Sequence, residues 1–121
     1  MSPQQKNIDL AVLDAKTKEL IEAFEAHPRM AGPNPHSTIF FLCDFVKNSH
    51  KMLKSVDAEK YAAGNKQARD TIQEVVGRNQ FASLLANDTT GQLAAMTAQD
   101  PSDRVDLGPT IKAKAKELAE L

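Results

Sequence analysis

Hydrophobic side chains recur every three or four positions through most of the chain, which is the spacing of one face of an α-helix. The first such stripe consists of Leu10, Leu13, Thr17, Leu20, Ile21 and Phe24. Upstream of it, Ser2, Pro3 and Gln5 have the spacing of a capping box with proline at the first helical position. We therefore predict a first helix that begins at Ser2 and packs this stripe against a core.

A weaker apolar band lies on the other side of the first helix. It is formed by Ile8, Val12, Ala15, Ala23 and Ala26. A helix with apolar residues on two sides contacts protein on both of them. We therefore take Ile8 and Val12 as candidate partner-binding residues.

Three prolines lie between His27 and His36, so this segment is predicted to be a loop. A second helix can begin at Asn34, with Pro35 at its first position, or at Ser37, because both residues are good N-caps. Its apolar face is the broadest in the chain, and we expect it to lie at the centre of the core. The face contains Thr38, Phe41, Leu42, Phe45, Val46, Ser49, Met52, Leu53 and Val56.

The middle of the chain predicts a third helix and a short fourth one. Asp57 is placed to cap the third helix, and Gly77 is placed to end it. Gly64 marks a bend or a close helix contact in between. Asn79 can begin the short helix, which we expect to stop at Asn87.

The last part of the chain predicts two more helices separated by a linker. Thr89 or Thr90 can cap a helix that carries Leu93, Ala94 and Met96. Residues 100–108 read as the linker, and Pro109 begins a terminal helix with Ile111, Ala115, Leu118 and Leu121 on one face. This face needs burial on its own chain or on a neighbouring copy, so Leu118 is a further candidate partner-binding residue.

These elements predict an all-α fold, a compact antiparallel helical bundle of five to six helices. No segment shows the alternation expected of a β-strand, and the sequence contains no long repeat. The 121 residues fit a single helical domain, residues 1–121, with residues 100–108 as the linker before the C-terminal helix.

Composition indicates a soluble globular protein, with 41% apolar and 26% charged residues. Fifteen basic residues against sixteen acidic ones give a net charge of −1, which provides no general attraction for nucleic acid or anionic membranes. The longest uninterrupted apolar run, from Ile39 to Cys43, is far shorter than the roughly 20 residues that span a bilayer. We expect neither a membrane nor a nucleic acid as partner.

A single cysteine cannot form an internal disulfide, and the first residues are polar rather than those of a secretory signal. Both observations favour a cytoplasmic location. A chain from which a leader had been removed would show the same features.

The segment NSHKMLKS around His50 resembles the phospho-accepting segment of histidine phosphotransfer domains, which are helical bundles of about this size. In that family a lysine comes three residues after the histidine and is followed by glycine and a small residue. Here Leu53 is at that position, Lys54 follows it, and glycine is missing. The resemblance implies a phosphotransfer role for His50, with Lys47 and Lys54 next to the phosphate, as an alternative function.

Metal binding and nucleophilic catalysis are not predicted. His36, Cys43 and His50 are seven residues apart, and seven helical residues rise about 10 Å, too far for ligands of one zinc ion. Cys43 and His50 are separated in the same way, so we interpret Cys43 as a packing residue. His27 and His36 could supply two ligands across the loop, but no acidic or thiol frame accompanies them.

We therefore predict a protein that is not an enzyme and needs no cofactor or metal. Its predicted role is protein–protein interaction or regulation as a helical module, self-associating as a homodimer and also binding another protein. The candidate partner-binding residues are Ile8, Val12, Lys47, His50, Lys54 and Leu118. A second alternative is a small apolar ligand held by Met30, Phe40, Phe41, Phe45, Met52 and Met96.

Overall fold

A computed structural model describes residues 8–87, 102, 103 and 105–121 of the chain. Its helices are α1 (Leu10–Glu25), α2 (Ser37–Lys54), α3 (Ala58–Ala62), α4 (Lys66–Ala86) and α5 (Gly108–Ala119). These residues contain no strand, and the five helices pack against each other as a compact bundle. The predicted fold class is confirmed.

The four long helices form a closed ring in which α1 packs against α2, α2 against α4, α4 against α5, and α5 against α1. Ion pairs show the direction of the last contact. Lys16 pairs with Glu117 at 2.9 Å and Glu19 with Lys114 at 2.6 Å, so residue numbers rise along α1 as they fall along α5. The two helices are therefore antiparallel.

Helices α2 and α4 are also antiparallel and are joined by Arg78. The Arg78 Nε donates to Ser49 Oγ at 2.8 Å, and its Nη2 donates to the Phe45 carbonyl at 3.1 Å. The guanidinium lies 4.0 Å from the centroid of the Phe45 ring, which in turn lies 5.3 Å from the Phe81 ring. A buried part of α2 is thus tied to the middle of α4 by hydrogen bonds and ring contacts.

The first helix begins at Leu10. Asp9 has an extended backbone and is its N-cap, with Oδ1 accepting from the amides of Ala11 at 2.9 Å and Val12 at 3.3 Å. The predicted cap at Ser2 lies outside the described residues, but a helix unbroken from Ser2 is wrong because Asp9 is not helical. The core stripe is confirmed, with Leu13, Thr17, Leu20 and Phe24 buried.

The loop predicted between His27 and His36 is confirmed, but α2 is capped by neither Asn34 nor Ser37. His36 is the N-cap, and its Nδ1 accepts from the Thr38 amide at 3.1 Å. A histidine ring nitrogen can accept this bond as an asparagine oxygen does, which composition-based cap preferences overlook.

The buried face of α2 is rotated from the predicted one. Ile39, Cys43 and His50 are buried, whereas Phe41 is exposed. The ring arrangement explains the difference, because α2 packs against α1 on one side and α4 on the other. Two neighbours bury a wider arc than the single stripe that the spacing suggests.

Gly64 separates two helices. Asp57 caps α3 as predicted, with Oδ1 accepting from the amides of Glu59 and Lys60. Gly64 has φ +83°, a left-handed conformation that glycine adopts without strain, so the helix stops there. The next helix begins at Lys66 after Asn65.

Helix α4 continues through Gly77 and Asn79, so the predicted helix end and the predicted new start at these residues are both wrong. Its buried positions alternate in steps of four and three: Ala68, Ile72, Val75, Asn79, Ala82 and Ala86. Burial of this continuous stripe outweighs the cost of about 1 kcal/mol for a glycine inside a helix. The helix ends before Asn87, as expected.

The terminal helix α5 packs on α1 and α4 of its own chain and buries Ile111, Ala115 and Leu118. Val105, Asp106 and Leu107 precede it outside any helix, and the helix begins at Gly108. The helix predicted around Leu93 and Met96 lies outside the described residues.

Candidate functional site

Helices α1 and α2 border an open groove of about 430 Å³. Lysines dominate its rim, and an isoleucine supplies its aliphatic part. Helix α1 contributes Lys18, Ile21 and Glu22, and helix α2 contributes Lys47, His50, Lys51 and Lys54. The structure thus brings together the predicted residues Lys47, His50 and Lys54, and we call this feature the lysine groove.

Helical spacing explains why the α2 lysines share one side. Lys47, Lys51 and Lys54 follow one another at four and three residues, which places them along one ridge beside the buried face. Lys51 and Lys54 also lie in the last turn of α2, where the helix dipole favours positive charge. The dipole of α2 therefore favours lysines at these positions, and the packing of α2 against α1 forms the groove that they line.

His50, which lines the lysine groove, makes an interhelical hydrogen bond. His50 Nε2 donates to Asp14 Oδ1 at 2.5 Å, and the His50 side chain is only 10% exposed. The second carboxylate oxygen of Asp14 accepts from Lys18 Nζ at 3.1 Å. The bond from His50, followed by that from Lys18, lowers the pKa of Asp14 below its ordinary value.

The lysines of the rim differ in how their charge is compensated. Lys47 Nζ lies 3.1 Å from a carboxylate oxygen of Glu25, and this contact raises the pKa of Lys47. Lys51 and Lys54 are exposed and have no ion pair within residues 8–87, 102, 103 and 105–121. Uncompensated positive charge is therefore concentrated at the C-terminal end of α2.

The remaining predicted partner-binding residues lie elsewhere. Ile8 packs partly against the core, and its amide donates to the Tyr61 hydroxyl at 3.2 Å. Val12 is exposed on α1, outside the groove lining. Leu118 is only 2% exposed, because α5 packs on its own chain, so we leave it out of the proposed binding surface.

The chemistry open to His50 and Cys43 is limited by their surroundings. The Nε2 atom of His50 is already bonded to Asp14, so a phosphoryl donor would first have to displace that carboxylate. Cys43 is buried, and burial raises the pKa of its thiol, which lowers the fraction of reactive thiolate. These positions fit packing and interhelical bonding better than catalysis.

The loop histidines have a structural role that the sequence did not indicate. His27 Nε2 donates to the Asp106 carbonyl at 2.8 Å, and His36 Nε2 donates to the Asp103 carbonyl. Arg29 Nη2 adds an ion pair to the Asp103 carboxylate at 2.7 Å. Together these residues fasten the proline-rich loop to the segment that precedes α5, and we call this set of contacts the loop clasp.

Sequence offered only a weak signal for the loop clasp, since its partners are about 70 to 80 residues away along the chain. Among the described residues, no three His, Cys, Asp or Glu side chains are grouped so that they could hold a metal ion.

An exposed apolar surface lies at the edge between α2 and α4. It consists of Phe41, Phe81 and Leu84, and we call it the aromatic surface. Leu84 is 58% exposed and Phe81 42% exposed, while the partly buried Phe45 ring contacts those of Phe41 and Phe81. Clustered exposed rings are more often found at protein contacts than on unused surface.

Within the described ranges, none of the helices has both the length and the apolar character needed to cross a membrane. No protein-family model, curated protein or solved structure matches the chain. What the lysine groove binds is therefore inferred from its geometry and charge.

Proposed function

We propose that this chain is a non-enzymatic helical module that binds a segment of another protein in the lysine groove. The observation that carries the proposal is the combination of an open groove with the exposed side chains of Lys51 and Lys54, which have no ion pair among the described residues. Ile21 adds apolar area between the charged rims. Ile21 offers an apolar contact to the apolar face of an amphipathic segment, and the lysines offer charged contacts at its edge.

Two alternatives are less well supported by the same geometry. Phosphotransfer requires access to a histidine nitrogen, whereas His50 is nearly buried and engaged with Asp14. An apolar ligand needs an enclosing cavity, whereas Phe40 and Phe41 lie on the surface. We therefore retain protein binding as the proposed function.

Selection of peptide binders against the full chain tests this proposal. A displayed peptide library is enriched on the wild-type chain, and the selected peptides are then measured against Lys51→Trp, which fills the groove. The matched control is Lys116→Trp, an exposed substitution on α5. We expect the selected peptides to lose about tenfold or more in affinity for Lys51→Trp and to keep their affinity for the control.

Peptides that bind both variants equally, or no enrichment over an unrelated helical bundle, would contradict the proposal. Circular dichroism of both variants checks that the fold persists. Lys51 and Lys116 are both exposed, and substitutions at exposed positions change stability little.

Self-association is the second part of the proposed function, and the aromatic surface supports it. Two copies of net charge −1 repel each other only weakly, so apolar contact between them is not opposed by a strong field. Light scattering after size exclusion should detect a concentration-dependent dimer that is lost in Phe81→Ser. A dimer that survives Phe81→Ser but is lost in Val12→Ser would place the interface on the outer band of α1 instead. A chain that stays monomeric at all concentrations would contradict self-association.

We also propose a cytoplasmic location. Its support is the lone Cys43, which the fold buries as a free thiol. Fluorescence microscopy of a tagged chain at its natural expression level would test this part separately.

A further inference from the structure

Charge on the two sides of the lysine groove is distributed unequally. On α2, Lys51 and Lys54 have no acidic partner among the described residues, whereas Lys47 is paired with Glu25. On α1, Lys18 is paired with Asp14 one turn earlier in the same helix. On the α1 side, Glu22 is exposed and likewise has no ion pair within those residues. A bound segment therefore meets excess positive charge on one side and a single negative charge on the other.

We infer that the occupant of the lysine groove is an acidic amphipathic helix of a partner protein. This inference rests on the proposed function and specifies its partner. Lys47, Lys51 and Lys54 span seven residues of α2, or about 10 Å. Carboxylates at the same four-and-three spacing on a second helix would lie opposite them, since both helices have the same rise.

The apolar part of the groove defines the second feature of this helix. Ile21 is partly buried and lines the groove on the α1 side, so an aliphatic side chain of the occupant can cover it. A basic residue on the α1 side would meet Glu22. The partner helix therefore carries a carboxylate stripe that faces α2, together with an aliphatic anchor and one basic residue that face α1.

The direct test uses two labelled helical peptides of about 16 residues that differ only in the stripe. One peptide has glutamate at the stripe positions, and the other has glutamine. In fluorescence anisotropy with the full chain, we expect the glutamate peptide to bind about tenfold more tightly, and its affinity to fall about tenfold between roughly 50 and 500 mM salt.

Two charge variants distinguish binding in the lysine groove from general electrostatic attraction to the chain. Lys51→Gln combined with Lys54→Gln should weaken binding of the glutamate peptide about tenfold. The matched control, Lys60→Gln combined with Lys116→Gln, removes the same charge from exposed positions outside the groove and should leave affinity within about twofold. Glu22→Gln should strengthen binding of a glutamate peptide that lacks the basic residue.

Several outcomes would overturn the inference. Equal affinity for the glutamate and glutamine peptides would show that the groove does not recognise carboxylates. An equal loss of affinity in the groove variant and in the control variant would show a non-specific charge effect. Displacement of the peptide by a single-stranded oligonucleotide at much lower concentration would indicate nucleic acid instead. If library peptides still bind the groove but carry no acidic stripe, the proposed function stands and this inference fails.

Discussion

Asp14 on α1 accepts a hydrogen bond from His50 on α2, with 2.5 Å between Oδ1 and Nε2. The bond requires a proton on Nε2, because a carboxylate can only accept. The two residues are 36 positions apart in the chain, so only the antiparallel packing of α1 and α2 brings them together. The contact fixes the position of the His50 imidazole, which lines the lysine groove.

The Asp14 contact predicts a specific pH dependence of stability. Bonds from His50 and Lys18 lower the folded-state pKa of Asp14 below its ordinary value of 3.8. A carboxylate with a lowered pKa stabilises the fold above its ordinary pKa and loses this effect as the pH falls through the folded-state value. At neutral pH we expect Asp14→Asn to lower the free energy of unfolding by about 1 kcal/mol.

Urea denaturation of the wild type and Asp14→Asn across the acid range checks this prediction. The difference between the two should shrink as the pH falls below the ordinary pKa of aspartate. Asp57→Asn is a useful comparison, since asparagine can also cap α3. A difference that stays constant at the most acid pH would contradict the assigned role of Asp14.

His36 is expected to contribute to stability in two separable ways. Its Nδ1 caps α2, and its Nε2 holds the Asp103 carbonyl in the loop clasp. We expect His36→Ala to lower the free energy of unfolding by about 2 kcal/mol, because it removes both bonds from a buried position. His36→Asn should recover roughly half of this loss, because asparagine restores the cap alone.

Hydrogen exchange adds a readout that distinguishes these roles. Both His36 variants should expose the amides at the start of α5 to faster exchange, while only His36→Ala should affect those at the start of α2. If His36→Asn restores protection at both ends, the bond from His36 to the Asp103 carbonyl contributes nothing measurable.

Two glycines are expected to respond to alanine in opposite directions. Gly77 lies inside α4, and a Cβ added there meets no atom within 4 Å, so Gly77→Ala should stabilise the protein by about 1 kcal/mol. Gly64 has φ +83°, so Gly64→Ala should destabilise it by about 1 kcal/mol or slightly more. Thermal or urea unfolding measures both effects. If Gly77→Ala destabilised the protein, the helix would end at Gly77 rather than continue through it.

Asn79 is expected to cost stability. It is buried in the middle of the α4 stripe, and its side-chain oxygen and nitrogen have no hydrogen-bond partner in the described chain. We expect Asn79→Ala to raise the free energy of unfolding by about 1 kcal/mol, since relief of unsatisfied groups outweighs a small cavity. The exposed neighbour serves as control, because Gln80→Ala changes helix propensity only slightly. A loss of stability in Asn79→Ala would mean that its amide is bonded in solution.

Much of the architecture could be predicted because helical periodicity is local. The stripe from Leu13 to Phe24 and the cap at Asp57 depend on residues within a turn or two of each other. The continuity of α4 through Gly77 could not be predicted in this way. A glycine or asparagine is a reasonable helix boundary locally, and only packing against α2 and α5 makes a long helix the better solution.

The same distinction between local and long-range information applies to the candidate site. Spacing alone places Lys47, Lys51 and Lys54 on one ridge, and it suggests His50 as their neighbour. Spacing cannot supply Ile21, Glu22 or Asp14, which come from another helix. It also cannot show that Leu118 is buried, because that depends on where α5 docks.

The amino-acid sequence by itself determined that the chain is helical, which side of each helix is apolar, and where charge accumulates along α2, because these properties arise between residues close together in the chain. Only the tertiary structure decided which helices become neighbours, and with them the His50–Asp14 bond, the loop clasp and the groove. The physical reason is that many helix arrangements bury the same stripes. The choice among them depends on how side chains distant in sequence fit against each other.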